Sequence, residues 1–199
     1  NGELSINPFD LDLNIYLDSF KISKLFKVYP ILNEFIKSGL LFNNNISINT
    51  SIVVNSNSKN QIFQNAKINF HIINGKINFN KTKFINEDIG SLVLNNSNLF
   101  LKNNKLIFNS DILINIENLD RLFSFLNINK ISRKKFQNIL INLDYDFLEN
   151  QIKFNNVKID NNNINDQLLT IIDGFSDNEL NNLNKSRKLI NEILKNYEG

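Results

Sequence analysis

The chain has 199 residues, 42% of them hydrophobic, with 17 phenylalanines and a formal net charge of +2. That length and apolar content are typical of one folded domain and exclude a disordered chain, while the charge is too small to indicate a partner by electrostatic steering. No run of 18 apolar residues predicts a transmembrane helix, and the lack of cysteine excludes disulfides and thiol chemistry, which leaves the compartment open between cytosol and periplasm.

The first predicted elements are a strand, a helical segment and a second strand. Apolar and polar residues alternate over 9–18, with Asp10 and Asp12 on the polar side. A helical segment is predicted at about 23–38, because a proline stands inside it and a glycine follows its end. Alternation returns over 46–54, which predicts the second strand.

The dipeptide Asn74-Gly75 predicts a β-hairpin, because both residues tolerate the positive φ of a type I′ turn. Counting outward gives the pairs Ile72–Ile77, His71–Asn78, Phe70–Phe79, Asn69–Asn80, Ile68–Lys81 and Lys67–Thr82. Successive strand residues face opposite sides, so this register predicts one apolar and one polar face.

A second hairpin is predicted about Asn103-Asn104, with strands of about 13 residues each between Ser91 and Ile116. Its predicted pairs are Leu101–Leu106, Leu99–Phe108, Asn98–Asn109, Asn96–Asp111, Asn95–Ile112 and Val93–Ile114. Phe100, Ile107, Leu94 and Leu113 interrupt the polar side, so we expect another element to cover part of that side.

A third hairpin is predicted at Glu149-Asn150, pairing Phe147 with Ile152, Tyr145 with Phe154 and Asp146 with Lys153. Beyond Asn155-Asn156 the apolar alternation shifts by one residue. A β-bulge there is predicted to return Val157 and Ile159 to the face of Leu143 and Ile141.

Three further helical segments are predicted. Leu119, Leu122, Phe123 and Leu126 have helical spacing within 118–127. A short helix is predicted at 164–174. A capping box of Ser176 and Glu179 begins the C-terminal helix, which runs to about residue 197.

The residues that could carry chemistry are few. His71, the only histidine, lies on the predicted polar face without the partners that a triad or a zinc site requires. Asp10 and Asp12 could serve acid/base chemistry or calcium binding, but acidic residues on a solvated strand face are common. We therefore predict no catalytic residue, no metal site and no cofactor.

The densest basic cluster is Arg133-Lys134-Lys135, with Lys130 nearby. It could contact lipid headgroup phosphates or nucleic acid, or it could be a solvated loop between a helix and a strand. Nucleic-acid binding is not favoured, because the aromatic residues fall on the apolar faces and not among the charges.

Two consecutive runs resemble the C-terminal region of AsmA-like proteins of Gram-negative bacteria. They are INGKINFNKTKFINEDIGSLVLNNSNLFLKNNKLIFNSDILINI and NLDRLFSFLNINKISRKKFQNILINLDYDFLENQIKFNNVKID. The resembling features are the Gly75-x-Ile77-x-Phe79 hairpin, the Ile89-Gly90-x-Leu92-x-Leu94 strand, the helix ending at Phe125-Leu126 and the Arg133-led loop. The resemblance spans about residues 46–160.

The resemblance implies a bridge-like lipid carrier in the periplasm, whose curved sheet forms an apolar groove for phospholipid acyl chains. It also implies an inner-membrane anchor that is missing from this fragment and outer-membrane assembly proteins as candidate partners. The hairpin registers then give the lining as Ile68, Phe70, Ile72, Ile77, Phe79, Val93, Leu99, Leu101, Leu106, Phe108, Ile112, Ile114, Ile141, Tyr145, Phe147, Ile152 and Phe154. Arg133, Lys134 and Lys135 are candidate headgroup contacts.

The predicted fold is therefore mainly β with flanking helices: one domain, 1–199, with a long curved antiparallel sheet forming a groove or half-barrel and with C-terminal helices. Strands are predicted mainly in 9–18 and 46–160, and helices at about 23–38, 118–127 and 164–197. The leading functional hypothesis is a non-enzymatic lipid-binding module that assists phospholipid transport and outer-membrane biogenesis. Its chief rival is a structural or interaction domain with a filled core, and a hydrolase that uses Asp10 and Asp12 is the third.

Overall fold

A computed structural model describes residues 1–6, 9–20, 34, 38–56, 62–103, 105–149, 151–174 and 183–197. The strands are β1 (Gly2–Ile6), β2 (Phe9–Asp18), β3 (Ile46–Asn55), β4 (Asn65–Ile73), β5 (Lys76–Asn78), β6 (Thr82–Asn86), β7 (Gly90–Lys102), β8 (Lys105–Ile116), β9 (Asn138–Asp146), β10 (Gln151–Ile159) and β11 (Asn162–Asn163). The helices of this described part are α1 (Leu119–Leu126), α2 (Asp166–Asp173) and α3 (Leu183–Asn196), with short 3-10 turns at Leu40–Phe42 and Lys130–Ser132. The predicted fold class, mainly β with flanking helices, is confirmed.

All eleven strands belong to one sheet. Their order is β1-β2-β3-β4-β5-β7-β8-β9-β10-β11, and β6 lies beyond β5 in the same position between β4 and β7. Neighbours pair antiparallel except β2 and β3, which run parallel. A parallel pair needs a long connection, because the chain must return to the end at which the first strand began. Residues 19–45 make that connection.

One face of the sheet collects the apolar side chains of successive strands. Residues directly opposite each other in a ladder project to the same side of the sheet. The registers align Leu11, Ile48, Ile72, Ile77, Leu99, Phe108, Tyr145 and Ile152 in one row across the strands. We call this side the apolar face and the other side the reverse face.

The hairpin at Asn74-Gly75 forms as predicted near its turn, where Ile72 lies opposite Ile77 and His71 opposite Asn78. The predicted pair of Lys67 with Thr82 is wrong. The register shifts by one residue after β5, so that Lys67 lies opposite Lys83. Both strands of the predicted hairpin are present in the sheet, but the second is divided into β5 and β6.

The Thr82 hydroxyl compensates for this break in the ladder. It accepts a hydrogen bond from the Asn69 backbone N–H at 3.0 Å and donates one to the Asn69 carbonyl oxygen at 3.2 Å. Thr82 is buried. Its hydroxyl thus pairs half-buried backbone groups of Asn69 that would otherwise lack a partner in the ladder.

The long hairpin of β7 and β8 confirms the predicted pairs next to its turn, including Leu99 with Phe108 and Asn98 with Asn109. A bulge between Asn95 and Asn98 then shifts the register, so the predicted pairs Asn96–Asp111, Asn95–Ile112 and Val93–Ile114 are wrong. Asn96 has φ 49 in this bulge, a conformation that asparagine tolerates better than most residues.

The bulge moves one predicted lining residue off the apolar face. Val93 lies opposite Leu113 and belongs to the reverse face, whereas Leu92 and Leu94 lie opposite Ile114 and Ile112 on the apolar face. A count of residues from the turn that ignores the bulge assigns Val93, Leu92 and Leu94 to the wrong faces. An extra residue in one strand inverts the side to which every later side chain points.

In the hairpin of β9 and β10, each residue pairs with a partner two positions away from the predicted one. Ile152 lies opposite Tyr145, and Lys153 opposite Asp144, because the connection is longer than the predicted two-residue turn. A slip of two residues preserves the faces. The predicted bulge is confirmed between Phe154 and Asn156, and it places Val157 opposite Ile141.

The three helices pack over one end of the apolar face. Asn118 caps α1 and Asn165 caps α2, each through its side-chain oxygen, and the predicted helix at 118–127 is confirmed. The main core cluster joins helix residues to strand residues: Phe123, Leu126, Leu168, Ile172 and Leu194 with Ile116, Val157 and Ile159. The capping box of Ser176 and Glu179, and most of the predicted helix at 23–38, lie outside the described residues.

Asp146 stabilises the connection between β9 and β10. Its carboxylate accepts hydrogen bonds from the N–H groups of Leu148 at 3.0 Å and Glu149 at 3.2 Å, and it lies 3.2 Å from Lys105 Nζ. Burial acts to raise the pKa of Asp146, but these hydrogen bonds and the Lys105 charge outweigh burial, so the pKa lies below its ordinary value.

The start of β7 tests how closely the central strands are packed. Gly90 has φ 145, and a Cβ there would lie 2.1 Å from the Asn115 carbonyl oxygen. We expect Gly90→Ala to lower the free energy of unfolding by about 3 kcal/mol, through strain and overlap. Gly39→Ala is the control, since its φ is 77 but its Cβ position is open, and we expect it to cost about 1 kcal/mol. Urea unfolding followed by circular dichroism checks both, and equal losses would contradict this account.

The lowered pKa of Asp146 predicts a pH-dependent contribution to stability. A carboxylate with a depressed folded pKa stabilises the fold above its unfolded pKa, about 3.9, and loses that effect as the pH falls through the folded value. Asp146→Asn should therefore cost about 1 kcal/mol near pH 7 and progressively less below about pH 4. The exposed Asp88→Asn is the control, and a cost for Asp146→Asn that did not change with pH would refute the assignment.

Candidate functional site

The middle of the apolar face carries a row of aromatic side chains, Phe70, Phe79, Phe108, Tyr145 and Phe147, which we call the aromatic band. Ring centroids lie 5.6 Å apart for Phe70 and Phe79, 6.0 Å for Phe79 and Phe108, and 4.7 Å for Tyr145 and Phe147. All five side chains are half-buried. The band therefore presents a tilted, discontinuous aromatic surface from β4 to β9 that keeps part of its area open to solvent.

Beside the band, the apolar face is closed. Ile72, Ile77, Leu99 and Leu106 are each at most 1% exposed, and they form a cluster with Leu41 of the 3-10 turn. These four predicted lining residues are therefore core, since a ligand cannot reach them without displacing the cover.

Sixteen of the seventeen predicted lining residues lie on the apolar side, and Val93 is the exception. Of the sixteen, those with partly or fully exposed side chains are Ile68, Phe70, Phe79, Leu101, Phe108, Ile112, Ile114, Ile141, Tyr145, Phe147, Ile152 and Phe154. Phe154, Ile114 and Ile141 pack against the helical core cluster. The open part of the face is thus narrower than the sequence predicts.

A cavity of about 160 Å³ lies at the helical end of the same face. Its walls come from the segment before β4, the start of β7, the end of β8 and helix α1, and include Phe63, Leu92, Ile114, Leu122 and Phe125. The pocket is half-open to solvent, and its apolar walls can accept a small apolar group. Ile114 is the one wall residue among the predicted lining, because no local pattern tells which helix and loop residues meet the sheet.

Along β8, the aromatic band and the cavity are connected by alternate residues. Phe108 belongs to the band and Ile114 to the cavity wall, and Ile112 lies half-buried between them. Ile114 lies six positions after Phe108, about 20 Å along the strand. Ser110 lies between Phe108 and Ile112 on the same side of β8. It is fully buried and shares a hydrogen bond with Ser97 of β7.

On the reverse face, amide side chains pair with carboxylates across strands. Asn49 Nδ2 donates to Asp12 Oδ2 at 2.7 Å, while Asn109 and Asn155 donate to the two oxygens of Asp144 at 2.7 and 2.9 Å. Further bonds of this kind join Asn96 and Asn142 to Asp111, and Asn55 to Asp18. These carboxylates are thus used in register-specific hydrogen bonds between neighbouring strands.

The other residues weighed for catalysis lie apart on the same reverse face. His71 is exposed opposite Asn78, as predicted, and Asp10 is exposed opposite Ser47. Among the described residues, no group of three or more His, Cys, Asp and Glu side chains could hold a metal ion.

The basic cluster lies on the connection from α1 to β9. Arg133 is half-buried, with its guanidinium carbon 5.5 Å from the Phe123 ring centroid and its Nε donating to the Ile128 carbonyl oxygen at 3.4 Å. Lys134 is half-buried and Lys135 exposed. Arg133 therefore holds the loop against the core, and the lysines are the more available cations.

No family model matches the chain, and no curated protein or solved structure is significantly similar to it. Within the described ranges, none of the helices combines the length and the apolar character needed to cross a bilayer.

Proposed function

We propose that the protein is a non-enzymatic lipid-binding module whose apolar face holds phospholipid acyl chains. The observation that carries this proposal is the half-buried aromatic band in the middle of the apolar face. Monomeric proteins rarely leave contiguous apolar surface of this kind without an interaction to cover it. The band joins strands that are far apart in sequence, through ring contacts from Phe70 to Phe108 and from Tyr145 to Phe147, with Phe108 opposite Tyr145 in the ladder.

Acyl chains suit this surface better than a polar substrate. Their binding is non-directional and contributes about 25 cal/mol per Å² of apolar surface removed from water. Because Ser110 of β8 is buried between Phe108 and Ile112, the accessible surface for an acyl chain is the aromatic band itself, which crosses the sheet from Phe70 to Phe147. Because no specific bond has to break, a chain can move along the exposed part of the band, as a transport function requires.

The resemblance to AsmA-like proteins supports a cellular setting for this activity. In that setting the module lies in the periplasm of a Gram-negative bacterium, the full-length protein is anchored to the inner membrane, and the bound phospholipid moves toward the outer membrane. Outer-membrane assembly proteins would be its partners. No catalytic residue, cofactor or nucleic acid enters this proposal.

Lipid retention distinguishes the module from a scaffold with a filled core. The purified protein should carry phospholipid that native mass spectrometry detects and that solvent extraction removes. Phe108→Asn should lower the retained amount severalfold, because it places a polar amide on the open band. Phe100→Asn is the matched control: Phe100 is also half-buried, but it lies on the reverse face. Absence of lipid from the wild-type protein would favour the scaffold.

Photo-crosslinking gives a residue-level test of the same face. A photoreactive phenylalanine analogue at Phe70 or Phe108 should label added phospholipid, whereas the same analogue at Phe100 should label little, because the two faces are separated by the sheet. Equal labelling from Phe108 and Phe100 would show nonspecific adsorption and contradict the proposal.

A further inference from the structure

The connection between α1 and β9 exposes a large apolar side chain among cations. Ile131 is 90% exposed, the highest exposure among the large hydrophobic residues that the structure describes as exposed. It lies in the 3-10 turn Lys130–Ser132, and Lys130 and Lys135 are exposed on either side of it. We call residues 128–136 the Ile131 loop.

The Ile131 loop is fixed at both ends, so the exposure of Ile131 is not a consequence of a loose segment. Ile128 and Phe136 are 3% and 2% exposed and belong to the helical core cluster. Between them, Arg133 lies over the Phe123 ring and hydrogen-bonds the Ile128 carbonyl oxygen. The loop thus projects Ile131 outward on an anchored base.

The charge around the loop is positive. Residues 127–137 contain four cations and no carboxylate. Among the described residues, none of the three loop lysines lies in an ion pair, and the ion pair that the structure does contain joins Lys105 to Asp146. The Asp160 carboxylate lies at the C-terminal end of the loop, where it accepts hydrogen bonds from the N–H groups of Gln137 and Asn138, both at 2.8 Å.

The helix packed beside this turn does not reverse that balance. The C-terminal helix α3 contacts the 3-10 turn of the loop. Its described, exposed charged residues are Lys188, Glu192 and Lys195, which add a net positive charge. The surface around Ile131 therefore attracts anions.

We propose that the Ile131 loop docks the protein on an anionic phospholipid bilayer, with Ile131 inserted among the acyl chains and the lysines contacting headgroup phosphates. An exposed aliphatic side chain beside cations fits the boundary between headgroups and acyl chains, where both kinds of contact are favourable. A nucleic acid is disfavoured, because Ile131 cannot stack on a base and the loop's aromatic residue, Phe136, is buried. This docking site is separate from the acyl-chain face and does not depend on it.

Vesicle co-sedimentation of the full chain tests the docking site. Binding should be stronger to vesicles of phosphatidylcholine with about one quarter phosphatidylglycerol than to phosphatidylcholine alone, and it should weaken at high salt. Ile131→Ser should reduce the affinity for the anionic vesicles about tenfold. Lys135→Gln should reduce it about fivefold, the effect of about 1 kcal/mol for each cation near such a surface.

Matched controls lie at the Asn74-Gly75 turn. Ile73 is 58% exposed and lies opposite Lys76, which is also exposed. Ile73→Ser and Lys76→Gln remove the same groups from another surface and should leave the affinity for vesicles unchanged. All four positions are exposed, and circular dichroism of each variant confirms that it is folded.

Three results would overturn the docking site: no binding of the wild-type protein to anionic vesicles, equal losses in the loop and control variants, or binding to a single-stranded oligonucleotide that depends on Lys135 and excludes vesicles. The test is independent of lipid carriage. A protein that binds vesicles through Ile131 but retains no phospholipid keeps the docking site and loses the carrier function, and the converse result does the opposite.

Discussion

The structure depends on the register in which its strands pair. A strand alternates its side chains between two faces, so a slip by one residue exposes the whole apolar set to water. Turns and bulges fix that register here, and asparagine supplies many of them: among the described residues, Asn74, Asn96, Asn103 and Asn161 have positive φ in turns or bulges of the sheet. Amide–carboxylate bonds between strands then stabilise the same alignment on the reverse face, as Asn49 does with Asp12.

Local patterns predict what is local. The Asn74-Gly75 turn, the lengths of β7 and β8, the bulge at Asn155-Asn156 and the helix α1 all follow from spacing within short segments, and each is confirmed. The parallel pairing of β2 and β3 could not be predicted, because nothing in either strand encodes its neighbour across a connection of 27 residues, 19–45. The bulge at Asn96 was also missed, since in a chain so rich in asparagine one such residue carries no distinctive signal.

For the candidate site, the sequence predicts the face but not its cover. Counting from turns places Phe70 and Phe108 together correctly, yet it cannot show that Leu41 closes over Ile72 and its neighbours. Nor can it identify Leu122 and Phe125 as cavity walls, because tertiary contacts decide which helix residues meet which strands. The single bulge in β7 accounts for the misplacement of Val93, which shows how one inserted residue propagates along a strand.

The proposals fit together through helix α1. Its Leu122 and Phe125 line the cavity at the helical end of the apolar face, and its Phe123 underlies Arg133 at the base of the Ile131 loop. The end of the sheet that is proposed to approach a bilayer is also the end at which the half-open pocket lies. One helix therefore contacts both proposed sites.

The central claim is that a bulge in β7 keeps both halves of the strand on one apolar face, and nitroxide pairs across β7 and β8 test it most directly. The chain has no cysteine, so introduced cysteine pairs carry the labels without background. Labels at Leu94 and Ile112 and at Leu99 and Phe108 should both show strong spin–spin coupling, because each pair lies directly opposite in the ladder. Strong coupling of Asn95 with Ile112 in place of Leu94 with Ile112, as an uninterrupted register requires, would contradict the account.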